Sequence, residues 1–226
     1  MVKFEHVCKK FGSSLALDDI SFVIDDSEFT FITGPSGAGK TTILKLIIRE
    51  LIPTSGQIFL DQWQLSKIKS RDIPKLRRKV AVVFQDFRLL FDRTVFENVA
   101  IVLELRGLSD KEIDKKVKNV LELTSLTNKS NLFPAQLAGG ELQRTCLARA
   151  LVGKPEILLA DEPTGNLDPA TGWEILELLT QINKMGTSVI MATHNMDIVN
   201  SLKKRVISVN GGKIFKDQKE SKYEII

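Results

Sequence analysis

The nine residues GPSGAGKTT, from Gly34 to Thr42, constrain this chain more than any other segment. They stand between FTFIT, an apolar run typical of a buried strand, and ILKLIIREL, whose apolar residues recur at helical spacing. Glycines let such a loop curl with its N–H groups pointing inward, and the following helix adds the positive end of its dipole. The pattern G-x-x-x-x-G-K-[ST] between a strand and a helix predicts a cradle for the phosphates of a nucleoside triphosphate.

Two side chains complete the predicted cradle. Lys40 brings a positive charge to the outer phosphates, and Thr41 brings a hydroxyl that can bind Mg²⁺. A flexible turn between core elements is the alternative interpretation, but such a turn does not require a lysine and a threonine at these positions. The candidate nucleotide-binding residues of the loop are Gly34, Pro35, Ser36, Gly37, Ala38, Gly39, Lys40, Thr41 and Thr42.

Length and composition exclude several classes of protein. The 226 residues are enough for one sizeable core, or for a core with a small subdomain. No apolar run approaches the roughly 18 residues that span a bilayer, and the N-terminal residues lack the apolar segment of a secretion signal. The two cysteines have no metal-ligand spacing and indicate a reduced, intracellular protein. A net charge of +4 is too weak to indicate a specific nucleic-acid partner.

Short β-rich runs alternate with helical patterns, which favours an α/β fold with a largely parallel sheet. The early runs VKFEHV and LALDDISFVI look like an added antiparallel layer, and SGQIFLDQW is a further predicted strand. The run RVISVNGGKIF carries an Asn-Gly-Gly turn between two β-rich segments and predicts a hairpin. The last stretch, KDQKESKYEII, is expected to be partly disordered.

The middle of the chain, from about residue 86 to about residue 154, has a helical pattern instead. Ser109 followed by Glu112 has capping-box spacing and predicts the start of a helix. The apolar face of that helix would carry Ile113, Val117, Val120 and Leu121. We interpret this stretch as a helical subdomain inserted in the α/β core.

Two carboxylates follow the apolar run EILLA. Asp161 and Glu162 would lie at the carboxyl end of a parallel strand, which is where such sheets bind their ligands. Asp161 is then placed to hold Mg²⁺ through water, and Glu162 to orient and polarise an attacking water molecule. The alternative interpretation is an acidic turn that caps a helix.

A second anion site is predicted at LAGGE, which comprises Leu137, Ala138, Gly139, Gly140 and Glu141. Its glycines expose backbone N–H groups at the start of a long helical pattern. One chain with two phosphate half-sites suggests two chains that share nucleotides head to tail, with each P-loop facing the glycine pair of the other chain.

GPSGAGKTT, Gln85, LAGGE, ILLADE, NLD and His194 occur in an order and spacing that resemble the ATP-binding cassette (ABC) ATPases over essentially the whole chain. The resemblance implies one ABC ATPase domain over residues 1–226, with a P-loop NTPase fold, a RecA-like core and an antiparallel β layer. The core lobe would comprise residues 1–85 and 155–226, and the inserted helical subdomain about 86–154. It also implies ATP and Mg²⁺ as cofactors, ATP hydrolysis, and a homodimer that closes on two ATP molecules.

The same resemblance assigns roles to single residues. Phe11 would stack on adenine, Gln85 would contact Mg²⁺ beside Thr41 and Asp161, and Asp168 would lie across the dimer interface. His194 would grip the γ-phosphate and act in catalysis with Glu162. One residue departs from the family pattern: Ala138 stands where the signature usually has a serine that contacts the opposite γ-phosphate. This departure bears on the strength of ATP-driven dimerisation.

A narrower resemblance is carried by VVFQDFRLLFDRTVFENVA and LLADEPTGNLDPATGWEILELL, which are similar to the cell-division members of the family. It implies a peripheral subunit at the cytoplasmic face of the membrane, coupled to an integral membrane protein and to control of peptidoglycan hydrolysis. The alternatives are a lipoprotein-release, macrolide-export or other ABC transporter subunit and, less favoured, a nucleic-acid ATPase. The expected docking surface contains Phe87, Leu89, Leu90 and Phe91, although these residues are alternatively core.

Overall fold

The computed structural model describes residues 1–219 and contains ten strands and seven α-helices within that range. The strands are β1 (Val2–Phe11), β2 (Ser14–Ile24), β3 (Phe29–Thr33), β4 (Ser55–Leu60), β5 (Trp63–Gln64), β6 (Val80–Val83), β7 (Ile157–Asp161), β8 (Ser188–Thr193), β9 (Arg205–Asn210) and β10 (Lys213–Gln218). The helices are α1 (Lys40–Ile47), α2 (Ile73–Lys79), α3 (Val95–Glu104), α4 (Asp110–Leu123), α5 (Gly139–Leu151), α6 (Pro169–Lys184) and α7 (Met196–Leu202).

The predicted parallel sheet is confirmed. Six strands lie in the order β10-β9-β3-β8-β7-β6, and all neighbouring pairs are parallel except β10 with β9. β3 and β8 are buried along their whole length because helices cover both faces of the sheet. Thr33 pairs with Thr193, and Asp161 pairs with Ala192, so the carboxyl ends of three strands meet at one edge of the sheet.

The antiparallel layer predicted from the early strands is also confirmed. It is a separate four-stranded sheet in the order β2-β1-β4-β5. The buried side of α1, which includes Ile43 and Leu46, shares one hydrophobic cluster with this sheet and with one face of the parallel sheet. The first residues of α1, which close the glycine-rich loop, are therefore held between two sheets.

Three helices fill the middle of the chain. α4 begins at the predicted capping box, where the Ser109 hydroxyl donates to Glu112 at 2.7 Å, and its four predicted apolar residues are buried. α3 begins at a second capping box, Thr94 with Glu97. These helices share a hydrophobic cluster with α5 that is distinct from the two clusters of the sheets. The boundaries at 86 and 154, and the division into two lobes, stay predictions.

The structure corrects or limits three local expectations. The predicted strand over residues 55–63 is two strands, because Asp61 and Gln62 form a turn between β4 and β5. α2 was not predicted, since its seven residues bury only Leu76 and have no regular apolar face. The hairpin of β9 and β10 is confirmed, and β10 extends to Gln218. The stretch from residue 216 was expected to be partly disordered, and its residues 220–226 lie outside the described residues.

No helix within residues 1–219 is both long and apolar enough to cross a bilayer.

Candidate active site

The glycine-rich loop is shaped by close backbone contacts. It links the buried end of β3 to the first residue of α1. Gly34 has φ 149° and a side chain there would place its Cβ 2.1 Å from the carbonyl oxygen of Val209. Gly39 has φ 110° and its Cβ would lie 2.8 Å from the carbonyl oxygen of Ala16. Any other residue at these two positions would clash with backbone of β9 or β2, so the loop path depends on glycine.

Lys40 is buried at the centre of this loop. Its ammonium donates to the carbonyl oxygens of Gly34, at 2.8 Å, and Pro35, at 3.1 Å. It also lies 3.9 Å from Oε1 of Glu162, and both side chains are mostly shielded from solvent. The loop therefore carries a fixed cation at its inner side, as the sequence predicts.

Thr41 and Asp161 form a pair of oxygen donors beside Lys40. The Thr41 hydroxyl donates to Oδ1 of Asp161 at 3.2 Å. Burial raises the pKa of Asp161 above its usual value, the hydrogen bond from Thr41 opposes this change, and the nearby Glu162 carboxylate adds to it. A desolvated carboxylate beside a hydroxyl suits Mg²⁺, which prefers oxygen ligands and takes most of the others from water and phosphate. Within residues 1–219 no group of three or more histidine, cysteine or acidic side chains could hold a metal by itself.

Glu162 is fixed by its backbone as well as by its side chain. It has φ 47°, a conformation that residues other than glycine seldom adopt, and its N–H donates to the carbonyl oxygen of Ala192 at 2.9 Å. Its Oε1 lies 2.8 Å from Nδ1 of His194, the residue that follows β8. The carboxylate is mostly shielded, while the imidazole remains largely exposed. Glu162 thus contacts Lys40 on one side and His194 on the other.

Gln85 follows β6, the strand next to β7, and is exposed. Its carbonyl oxygen accepts from Asn166 at 3.3 Å, and a Cβ on Gly165 would lie 3.5 Å from its amide nitrogen. These contacts place Gln85 beside the turn that follows Glu162. No hydrogen bond within residues 1–219 joins its side chain to Thr41 or Asp161, so its predicted contact with Mg²⁺ stays a prediction.

Phe11 lies at the end of β1, next to the tight connection to β2, and 47% of its surface is exposed. The ammonium of Lys9 stands 5.0 Å from its ring centre. β2 passes directly behind the phosphate cradle, because its Ala16 and Leu17 are the residues that exclude a side chain at Gly39. An exposed ring on this hairpin fits the predicted role in stacking on adenine, which stays a prediction.

The signature residues 137–141 comprise the two residues before α5 and its first three residues. Ala138 precedes the helix, and its N–H donates to Glu141 at 2.9 Å, a bond that lowers the pKa of that carboxyl. Gly140 is buried against Thr171 of α6, where a Cβ would lie 2.4 Å from the Thr171 methyl group. Asp168 caps α6 by accepting from the Thr171 N–H at 3.1 Å. The signature and Asp168 are therefore held next to each other.

The structure does not bring the signature to the phosphate cradle of the same chain. Within residues 1–219, no hydrogen bond or ion pair joins residues 137–141 to the P-loop. The exposed backbone of Ala138 and Gly139 fits the predicted contact with a nucleotide held by a second chain.

We expect the Ala138→Ser variant to strengthen ATP-dependent dimerisation. The new hydroxyl can donate to the opposite γ-phosphate, and a hydrogen bond to a charged group contributes about 1.5–3 kcal/mol, or on the order of 10- to 100-fold in the dimer equilibrium per site. Analytical ultracentrifugation in a Glu162→Gln background with Mg-ATP measures the change. A weaker or unchanged dimer would mean that position 138 does not face the phosphate.

A serine at position 138 would also cap α5, because serine is a favoured N-cap residue. This local gain would raise the thermal stability of the nucleotide-free chain, by about 0.5–2 kcal/mol. Thermal unfolding without ATP therefore separates helix capping from the phosphate contact, since only the phosphate contact changes the dimer equilibrium.

Two residues that the sequence analysis did not single out fix the segment 86–94. The Asn98 amide of α3 is fully buried; it accepts from the Leu90 N–H at 2.8 Å and donates to the carbonyl oxygens of Leu90 and Arg93. Arg149, in the last turn of α5, donates to the carbonyl oxygens of Arg88 at 2.7 Å and Phe87 at 3.0 Å. The one local sign of this role for Asn98 in the sequence is its polar side chain within the apolar run VFENVAIVL.

The predicted docking surface is divided by this arrangement. Leu89 is buried at 6% exposure and belongs to the hydrophobic cluster under α5 and α6, so the prediction that it faces a partner is wrong. Phe87 is half-buried and packs against the same cluster. Leu90 and Phe91 remain exposed, at 39% and 61%. Asn98 and Arg149 bind the backbone of this segment, and that backbone path turns Leu89 into the core and Phe91 towards solvent.

Comparison with known proteins decides the family. A sequence model of the family described as ABC transporter matches residues 17–165, which is more than half of the chain and includes the P-loop, the signature and Glu162. The chain belongs to the ABC transporter family. It is an ATP-binding ABC ATPase, and hydrolysis of ATP is its activity.

Similar curated proteins and solved structures cover almost the whole of this ABC ATPase. The cell division ATP-binding protein FtsE of Bacillus subtilis is 49% identical over 224 residues, 99% of this chain and 98% of the relative. FtsE of Escherichia coli is 43% identical over 94% of this chain and 96% of the relative. A dimeric ATP-binding cassette in a post-hydrolysis state, bound to ADP and Pi, has a TM-score of 0.88 and 34% identity, covering 99% of this chain and 100% of that one.

A second solved structure confirms the fold. CbiO1 of Clostridium perfringens, described as part of an ABC transporter complex, has a TM-score of 0.90 and 31% identity over 97% of this chain and 88% of that one. The ABC-type P-loop NTPase fold implied by the sequence motifs is therefore confirmed.

Proposed function

We propose that this ABC ATPase is the FtsE-like subunit of a bacterial cell-division complex. It works at the cytoplasmic face of the membrane with an FtsX-like integral membrane protein, and its ATP cycle controls peptidoglycan hydrolysis outside the cell. The observation that carries the proposal is the 43–49% identity to cell-division ATP-binding proteins from several bacteria over nearly the full length of both chains. A transporter subunit for lipoprotein release or macrolide export remains the alternative.

In the proposed reaction, Lys40 binds the outer phosphates of ATP and Glu162 orients the water that attacks the γ-phosphate. The support is geometric: the Glu162 carboxylate is shielded, lies 3.9 Å from the Lys40 ammonium and contacts His194 at 2.8 Å. His194 holds this carboxylate in position and, being exposed, is free to contact the γ-phosphate. Preorganised groups of this kind supply most of the catalysis in phosphoryl transfer.

We assign the Mg²⁺ ligands to the Thr41 hydroxyl, to Asp161 through water, and to Gln85. When bound by these residues, Mg²⁺ would supply positive charge to the phosphates. The structure supports the first two ligands, because the Thr41 hydroxyl and the desolvated Asp161 carboxylate lie within hydrogen-bond distance of each other, beside Lys40. The hydrogen bond that the Thr41 hydroxyl donates to Asp161 also holds Thr41 in place in the first turn of α1.

The ATP-bound state is proposed to be a homodimer in which residues 137–141 of one chain bind the nucleotide held by the P-loop of the other. A dimeric ATP-binding cassette with 34% identity supports this arrangement, as does the exposure of Ala138 and Gly139. Asp168 lies next to the signature through the contact of Gly140 with Thr171, so it would reach the same interface.

The docking surface for the membrane partner is proposed to include Leu90 and Phe91. We expect the double change Leu90→Asp with Phe91→Asp to spare folding and ATP binding but to remove binding of the membrane partner. Both side chains are exposed, so their replacement costs little core packing, whereas charges in an apolar contact are costly. Retention of the partner on the affinity-tagged chain after detergent extraction measures the effect.

The matched control is Phe215→Asp. Phe215 has the same 61% exposure as Phe91 but lies on β10, at the opposite edge of the parallel sheet from β6. The control should keep the partner. If the double variant is folded and still retains it, docking occurs elsewhere.

Identifying the membrane protein that co-purifies with the tagged chain tests the proposed function as a whole. A four-helix membrane protein with a large extracellular loop is the expected result, together with a division defect when the chain is depleted. A multi-span or fused permease, or normal division after depletion, would instead favour the transporter alternative.

A further inference from the structure

Positive charge is concentrated in residues 63–79, a segment that begins at β5 and ends where β6 starts. The segment holds seven lysine and arginine residues and one acidic residue, so its net charge is +6, whereas the whole chain carries +4. The rest of the chain is therefore slightly acidic. A charge so unevenly distributed gives one face of the molecule a positive potential that the net charge alone does not indicate.

The first part of this segment is fixed to the two sheets. Leu65 is fully buried, and Trp63 and Ile68 pack partly buried against the hydrophobic cluster that the sheets share. Nε of Arg49 donates to the carbonyl oxygen of Leu65 at 2.8 Å. The backbone of residues 65–69 therefore holds its polar side chains in fixed positions.

Three cations project from this anchored backbone. Lys67, Lys69 and Arg71 are exposed, and together with Trp63 and Ile68 they line a hollow of about 450 Å³. The hollow lies next to β5, at the edge of the antiparallel sheet. Cations and apolar surface thus meet at one exposed place.

The two lysines carry charge that nothing balances. Within residues 1–219, neither Lys67 nor Lys69 makes a hydrogen bond or an ion pair. The one carboxylate that lines the hollow is Asp72, which lies 3.1 Å from the Lys75 ammonium and 3.8 Å from Nε of Arg71. This carboxylate is already shared between two other cations, so Lys67 and Lys69 remain available to an external anion.

The combination of groups suits an anionic membrane surface. An ammonium binds phosphate as a point charge, and the alkyl stem of a lysine can extend along apolar surface while its charge stays in water. An indole is favoured at the boundary between headgroups and acyl chains, because it has an apolar body and a polar N–H. A soluble phosphate ion would use the cations and leave Trp63 and Ile68 without a role.

The position of the hollow agrees with this assignment. After residue 72 the chain forms α2 and β6 and then passes directly to Leu90 and Phe91, the proposed docking surface. α2 and Phe84, the residue that follows β6, line one common cavity, so the basic segment and the docking segment lie side by side. A membrane protein bound at Leu90 and Phe91 would bring the hollow close to the bilayer.

We propose that Lys67, Lys69 and Arg71, together with Trp63, bind the phosphate groups of anionic phospholipids at the membrane surface. The inference rests on the proposed function, which puts the chain at the cytoplasmic face of the membrane. It adds a contact with the lipid itself, which requires no protein partner and would orient the ATPase on the bilayer.

The test measures binding of the isolated full chain to vesicles by sedimentation. The vesicles contain phosphatidylcholine alone or an equal mixture with phosphatidylglycerol. The variant is Lys67→Gln with Lys69→Gln, which removes two charges that have no partner to lose. The matched control is Lys111→Gln with Lys115→Gln, because both lysines are exposed on α4, make no hydrogen bond or ion pair within residues 1–219, and alternate with acidic residues.

We expect the wild-type chain to bind the mixed vesicles and not those of phosphatidylcholine alone. Each basic residue near an anionic surface strengthens binding about fivefold, so the variant at residues 67 and 69 should bind on the order of 25-fold more weakly. The control should bind like the wild type, and rising salt should weaken wild-type binding. The melting temperature and the ATPase rate of the variant should not change, because neither lysine contacts another group in the described chain.

Trp63 gives an independent spectroscopic readout. The chain has two tryptophans, so the change Trp173→Phe leaves Trp63 as the sole indole. Its emission should shift to shorter wavelength when mixed vesicles are added, because the ring leaves water. The shift should be absent when Lys67 and Lys69 are glutamine.

Equal binding by the variant and the control, or no binding of the wild-type chain to mixed vesicles, would overturn the inference. Inorganic phosphate that displaces the chain from vesicles more strongly than chloride of equal ionic strength would indicate a site for a soluble anion instead. Duplex DNA that binds more tightly than vesicles, and only when Lys67 and Lys69 are present, would assign the hollow to nucleic acid. Each of these two results would also overturn the inference.

Failure of the proposed function is seen in a different experiment. It would appear as a tagged wild-type chain that retains no membrane protein. A chain that retains its membrane partner but does not bind mixed vesicles would contradict the lipid contact alone.

Discussion

Replacing Glu162 with glutamine is expected to lower the ATP hydrolysis rate by about 10²- to 10⁴-fold, the range that a general base contributes. Glutamine keeps the size of the side chain and removes the carboxylate that orients water. The backbone at this position should not change, since the N–H bond to Ala192 and the positive φ do not involve the side chain. Phosphate release under saturating Mg-ATP measures the rate.

The same variant should still bind ATP, because the phosphate cradle and Lys40 are unchanged. With binding intact and hydrolysis slow, the ATP-bound homodimer should accumulate, which size-exclusion chromatography with Mg-ATP detects. Loss of one negative charge 3.9 Å from the Lys40 ammonium would also favour a bound γ-phosphate.

Glu156→Gln is the matched control. It makes the same chemical change just before the other end of β7, at an exposed residue whose ion pair with Lys79 lies at the surface and contributes roughly 0–1 kcal/mol. Turnover near wild type in Glu162→Gln would mean that this residue does not orient the water. His194→Ala should lose hydrolysis and keep most nucleotide affinity, since His194 contacts Glu162 and is not part of the cradle.

Replacing Lys40 with alanine is expected to weaken ATP binding by about 100-fold or more. The ammonium is the only side-chain cation among residues 34–42, and each charge-assisted hydrogen bond to phosphate contributes about 1.5–3 kcal/mol. Isothermal titration calorimetry with ATP measures the change. An unchanged affinity would remove the P-loop assignment.

Lys45→Ala is the control for this prediction, because Lys45 lies on the same helix and its ammonium points to Glu50 rather than to the loop. Thermal unfolding without nucleotide should accompany the titration. Lys40 also holds the carbonyl oxygens of Gly34 and Pro35, so a lower melting temperature in Lys40→Ala would show how much the loop depends on these two bonds.

The local parts of this molecule were predictable because they depend on neighbouring residues. A glycine-rich loop between an apolar strand and a helix, a carboxylate pair after a buried strand, and a serine three residues before a glutamate each specify a conformation within a few residues. The structure places all three as predicted. The roles that the family resemblance implies for Phe11, Gln85 and Asp168 fit their positions and stay predictions.

The tertiary structure decided the features that depend on residues far apart in the chain. Leu89 and Phe91 are equally apolar and two positions apart, yet Leu89 is core and Phe91 is exposed, because Asn98 and Arg149 bind the backbone between and beside them. Arg77, Arg78, Arg106 and Arg149 line one cavity although they come from α2, the turn after α3, and α5, so their proximity could not be seen in the sequence.

The sequence by itself determined that the chain binds nucleotide and in what kind of fold, because the phosphate cradle and the strand ends are encoded in short segments. Only the tertiary structure determined that Glu162 contacts Lys40 and His194 together, since Lys40 begins α1, Glu162 follows β7 and His194 follows β8. The physical reason is that parallel pairing of β3, β8 and β7 sets the distances between their ends, and that register is fixed by packing on both faces of the sheet.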